Sequence, residues 1–102
     1  MQIITTEELK KRIDNNEMLN LVDVREPYEH EEFNIGGILL PLKKIQSMEV
    51  DALESFKNQE VICYCRSGNR SGQACLILEN LGFSNIKNLG GGMLEWQKNF
   101  GK

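Results

Sequence analysis

The stretch EVICYCRSGNRSGQACLILENLG, residues 60–82, carries two periodicities joined by one short loop. The run from Glu60 to Cys65 is nearly all apolar and of strand length. Ala74, Ile77, Leu78 and Leu81 then recur at i, i+3, i+4 and i+7, which predicts a helix after Ser71. Gly82 fits the residue just past its end. A buried strand feeding a helix is the building unit of a parallel sheet with covered faces.

The flanking sequence repeats this alternation. QIIT reads as a short strand, and TTEEL sets Thr5 and Glu8 at capping-box spacing before a helix with Leu9 and Ile13 on one face. LNLVDV, residues 19–24, is mostly apolar like a buried strand, with Asp23 and Arg25 at its carboxyl end. EPYEHEEF suggests a helical turn with Pro27 first. GGILLPL reads as a further strand closed by Pro41. KKIQSMEVDALESF, with Ile45, Met48, Leu53 and Phe56, reads as one or two short helices. NIKNL is the last strand, Gly90 to Gly92 a tight turn, and MLEWQKNF a terminal helix. The pattern predicts one α/β domain over residues 1–102, with a mostly parallel sheet and helices on both faces. Ligands of such sheets sit beyond the carboxyl ends of the strands, where Cys65 stands.

Composition narrows the function. The 102 residues are 40% hydrophobic and 26% charged, with a net charge of -3 and a pI near 5.2. Nucleic acids and anionic membranes call for a basic face, so neither is an expected partner. No signal peptide opens the sequence and no apolar run reaches the length of a membrane span. Three cysteines, Cys63, Cys65 and Cys75, do not make a disulfide framework. A cytoplasmic monomer is expected.

The loop after Cys65 points to an activated thiol. Gly68 takes positive φ freely and Asn69 tolerates it, so the backbone can curl with its N–H groups inward. Such a nest, with a helix N-terminus behind it, stabilises a thiolate. Arg66 and Arg70 are the only charged residues from Val61 to Leu78. They predict an uncompensated positive patch suited to a small sulfur or phosphorus oxyanion. Four residues separate Cys65 from Arg70, and Ser71 follows. A phosphate-transferring cysteine loop holds one residue more, which disfavours a phosphatase or arsenate reductase. Transfer of a sulfane sulfur from thiosulfate releases sulfite, a weak base that needs no strong general acid. A papain-like scheme would need a Cys–His pair, and His30 is remote in sequence.

These residues resemble the single-domain rhodaneses, the thiosulfate sulfurtransferases. CRSGNRSGQA is similar to their active-site loop, LVDVREPYEHEEF to their Asp-Val-Arg stretch and acidic helix, NIGGILLPL to their His-Ile-Pro-Gly-Ala segment, and NLGGGMLEW to their late glycine turn and tryptophan. The four segments occur in order over nearly the whole chain. The resemblance implies a sheet of about five strands, Cys65 as the persulfide-carrying nucleophile, and a cradle of Arg66, Ser67, Gly68, Asn69, Arg70 and Ser71 for the anionic donor. It implies a thiol, protein cysteine or cyanide as acceptor, and no metal or organic cofactor. A sulfur carrier or docking module on the same fold is the alternative. Asn34, Gly36 and Ile38 replace the family's usual His, Pro and Ala, and local structural change is expected there.

Other features read as structural. Cys63 lies inside the apolar run, which favours a core cysteine over a resolving or metal-binding partner. Cys75 sits beside core positions of the helix. Asp23 and Arg25 are expected to pair or to bond backbone near the site. His30, among Glu29, Glu31 and Glu32, is expected at the surface, Trp96 is a packing residue, and the triple glycine is a turn only.

Overall fold

The computed structural model describes residues 1–101; Lys102, the last position of the expected 1–102 domain, lies outside the described residues. Strands β1 (Gln2–Ile4), β2 (Leu21–Asp23), β3 (Ile38–Leu39), β4 (Glu60–Tyr64) and β5 (Asn85–Leu89) form one sheet in the order β1-β5-β4-β2-β3. Every strand pair is parallel, so the expected α/β fold with a five-stranded parallel sheet is the observed one. The helices are α1 (Thr6–Asp14), α2 (Pro27–Glu32), α3 (Leu42–Gln46), α4 (Asn69–Asn80) and α5 (Gly92–Phe100), with a 3-10 turn at Asp51–Phe56.

The alternation of β4 divides the core. Val61, Cys63 and Cys65 face one layer, with Ile45 of α3, Leu53 of the 3-10 turn and Ala74, Cys75 and Leu78 of α4. Ile62 and Tyr64 face the other, with Leu9 of α1 and Met93 and Trp96 of α5. Successive side chains of a strand point to opposite faces, and here both faces are covered, so the whole run is apolar. Trp96 packs edge-on to Phe100 at a centroid distance of 5.0 Å, as befits a packing residue.

Local signals set the helix ends. Thr5 Oγ1 accepts from Glu8 N at 3.1 Å, and Glu8 Oε1 accepts from Thr5 N at 3.2 Å, which completes the capping box. Pro27 is the first residue of α2. Two details differ from the sequence reading. Helix α4 begins at Asn69, ahead of the apolar pattern, because Gly68 at φ +103° turns the chain straight into it. Met48, read within the helical segment, instead lies between α3 and the 3-10 turn, at φ +61° and 69% exposed.

At the amino ends of the central strands, Glu60 receives Arg12 of α1 at 2.6 and 3.0 Å and Lys87 of β5. Arg12 lowers the Glu60 carboxyl from its usual 4.5 to about 2 against the cost of burial, and Lys87 assists. A depressed carboxylate contributes stability above its unfolded pKa and loses it as pH falls through the folded one. Urea unfolding midpoints should therefore fall from pH 4.5 downward to about 2. Glu60→Gln should flatten that slope.

Candidate active site

Cys65 leaves the end of β4 and is buried, with the residue 1% exposed. Its sulfur accepts the Gly68 N–H at 3.0 Å and lies 3.3 Å from the Ser71 hydroxyl. Burial pushes the thiol up. The Ser71 hydroxyl and the backbone N–H groups of Ser71, Gly68 and Ser67 outweigh it and bring the thiol below its ordinary value. The nest read from the loop is thus formed, with the first turn of α4 as part of its wall.

Two supports from outside the loop hold it in shape. Cys65 O accepts from Met93 N, and Arg66 O from Leu94 N, both at 2.9 Å at the start of α5. Gly92 sits at φ +57°, and a Cβ there would stand 2.5 Å from Cys65 O and 2.6 Å from Arg66 O. The triple glycine is therefore more than a turn. It brings α5 against the cysteine loop at a distance no side chain permits. From β5, Asn88 Nδ2 donates to Gly68 O at 3.1 Å and Asn88 Oδ1 accepts from Ser71 Oγ.

The arginines differ from each other. Arg70 pairs with both oxygens of Glu29 on α2, at 2.7 and 2.9 Å. The patch is not uncompensated, because the partner lies 41 residues earlier in the chain. Arg70 lowers Glu29 from its usual 4.5 to about 2. Glu29 raises the Arg70 pKa, and the nearby Cys65 adds to that. Arg66 is exposed and has no side-chain partner among the described residues. It lines a cavity of about 320 Å³ with Tyr28, Phe33, Met93, Leu94 and Gln97. Ser67 and Asn69 are exposed, and Ser67 acts on the thiol through its backbone N–H rather than its hydroxyl.

Residues 5–99 match the model of the rhodanese-like domain family. The chain belongs to this family. It is 38% identical over 96 residues to a sulfurtransferase of Allochromatium vinosum, covering 93% of this chain and 87% of that protein. It is 35% identical over 94 residues to YrkF of Bacillus subtilis, a protein named as a candidate sulfur carrier, covering 91% of this chain but only 49% of YrkF. A rhodanese-like domain protein from Staphylococcus aureus superposes with a TM-score of 0.79 at 34% identity, over 94% of this chain and 91% of that one.

A second group of polar contacts lies at the carboxyl end of β2. Arg25 donates to Asp23 through Nε at 2.9 Å and Nη2 at 2.7 Å, and also bonds Phe33 O at 2.6 Å. The expected pairing and the expected backbone bond are both made. His30 is not a loose surface histidine: its Nδ1 lies 2.8 Å from Asp23 Oδ2 and its side chain is 22% exposed. The start of α2 at Pro27 was the signal that could have turned it inward. Asn34 Oδ1 accepts from Gly36 N at 2.8 Å, and Gly36 stands at φ +98°, a conformation closed to proline. Tyr64, a residue the sequence reading left unused, donates its hydroxyl to Gly36 O at 2.9 Å.

Cys63 and Cys75 are fully buried in the same layer. Their mutual hydrogen bond, then burial, push the Cys63 thiol well up, which is the state of an inert core cysteine.

Gly92→Ala should destabilise the protein by about 3 kcal/mol or more, since it combines a left-handed backbone with overpacking against fixed carbonyls. It should also slow alkylation of Cys65. Gly36→Ala meets nothing within 4 Å and should cost only about 1–2 kcal/mol for its backbone. Urea unfolding of the two variants checks the contrast.

Proposed function

We propose that this chain is a sulfurtransferase that takes a sulfane sulfur from thiosulfate or a persulfide donor and passes it to a thiophilic acceptor. The observation that supports it best is the Cys65 sulfur held between the Gly68 N–H and the Ser71 hydroxyl at the head of α4. That cradle favours an anion on sulfur, both as thiolate and, one sulfur further out, as persulfide.

The cycle has two displacements. The Cys65 thiolate attacks the outer sulfur of thiosulfate. A new sulfur–sulfur bond forms, the old one breaks, and its electron pair leaves with sulfite. In the second step cyanide, a small thiol or a protein cysteine, as its anion, attacks the terminal persulfide sulfur. Thiocyanate or a new persulfide departs and the Cys65 thiolate returns. Charge balances in both steps, neither leaving group needs a proton, and no step calls for a metal or organic cofactor.

The arginines divide the work. Arg70 is held by Glu29 and supplies a fixed field at the sulfur. Arg66 is free to meet the incoming anion from the mouth of the site. A phosphatase reading is disfavoured by the short loop, and aryl phosphate hydrolysis lost in Cys65→Ser would restore it.

Incubation with thiosulfate should add one sulfur atom to the Cys65 peptide by mass spectrometry, and cyanide should discharge it as thiocyanate. Cys65→Ser should do neither. Absence of any adduct on the wild-type cysteine sinks the proposal. Sulfur loading without turnover to cyanide or small thiols would favour a carrier, the role for which YrkF is named. Arg66→Ala should raise the thiosulfate KM by roughly tenfold or more and change kcat little, as expected for loss of a charge-assisted contact made before the chemical step.

A further inference from the structure

Asn88 belongs to β5, outside the loop, and the transfer cycle makes no use of it. It is 6% exposed. In the parallel register it lies beside Cys63 of β4, on the sheet face that also carries Cys65. Its Nδ2 donates to Gly68 O at 3.1 Å and its Oδ1 accepts from Ser71 Oγ. Gly68 and Ser71 are the residues whose N–H and hydroxyl stand 3.0 and 3.3 Å from the Cys65 sulfur. One amide thus grips both donors from beneath.

The amide has only one workable orientation. Gly68 O can only accept, so Nδ2 faces it and Oδ1 faces Ser71. The Ser71 hydroxyl carries one proton and has two acceptors in reach. Asn88 Oδ1 and the Cys65 sulfur both lie within its reach.

We propose that Asn88 is a positioning residue of the sulfur-transfer site, which fixes Gly68 and Ser71 together so that the Gly68 N–H and the Ser71 hydroxyl stand at the Cys65 sulfur. This rests on the reading of Cys65 as the transferring cysteine. The other charged or titratable groups around the sulfur are Arg70 of α4 with its Glu29 partner on α2, Cys63 of β4 and Arg66 of the loop. Substitution at position 88 leaves all of them in place.

The test is the pH profile of iodoacetamide alkylation at the Cys65 peptide, which requires no sulfur transfer. Asn88→Ala should move the midpoint upward and lower the rate below it by about tenfold, the effect of one lost hydrogen bond to a charged group. Asn88→Asp keeps the size, loses the donor to Gly68 and adds a negative charge, so it should move the midpoint at least as far. In a Ser71→Ala background, Asn88→Ala should have a smaller effect than alone, since the two act through one network. A purely structural Asn88 would lower Tm and leave the midpoint where it was, and that result in either variant overturns the proposal. Should both variants fail to fold, the wild-type protein decides: the Asn88 side-chain amide resonance must shift as pH crosses the alkylation midpoint, and a static resonance overturns the proposal. A moved midpoint in a protein that never loads sulfur would sink the transfer reading alone. An unmoved midpoint in one that loads sulfur would sink only the role of Asn88.

Discussion

The carbonyl oxygens of Cys65 and Arg66 are turned away from the sulfur and into the first N–H groups of α5. A trans peptide unit carries its C=O and N–H on opposite sides, and no cis bond occurs among the described residues. Binding Arg66 O from behind therefore aims the Ser67 N–H forward, on the side from which it helps to lower the Cys65 thiol. The nest depends on this hold. It also requires α5 to come so close that only glycine fits at position 92. A loop of flexible residues is in this way given one conformation by a helix that follows it by more than twenty positions.

Charge in the site is arranged by the same economy of contacts. Asp23 takes Arg25 and His30, and Arg25 reaches on to Phe33 O, which secures α2 to the end of β2. Secured there, α2 presents Glu29 to Arg70. The pair is partly buried, so its Coulomb gain is set against desolvation, and its clearer effect is to immobilise one cation beside the cysteine. Arg66 has no such partner among the described residues and lines the cavity. Two arginines four positions apart, alike in sequence, thus do different things.

Elements with strong local signals were legible without coordinates. The Thr5–Glu8 box, Pro27 at the head of α2, the 3.6-residue period of α4 and Gly82 beyond it all rest on interactions within one turn. So does the split of CYC: alternation puts both cysteines on one face, and they are told apart because Cys63 lies inside the apolar run while Cys65 opens the glycine-rich loop. The resemblance to rhodaneses rested on four ordered segments, and their order survives any local rearrangement of the kind found at Gly36.

The sequence by itself determined the α/β alternation, the place of Cys65 at a strand's carboxyl end and the composition of its cradle, because each is written in residues near one another. Only the tertiary structure decided which of the loop's groups serve the sulfur. Glu29 pairs with Arg70, Asn88 grips Gly68 and Ser71, and Gly92 admits α5. Each is a contact between chain segments whose separation in sequence carries no periodicity, and a hydrogen bond of that kind leaves no mark on the residues around either partner.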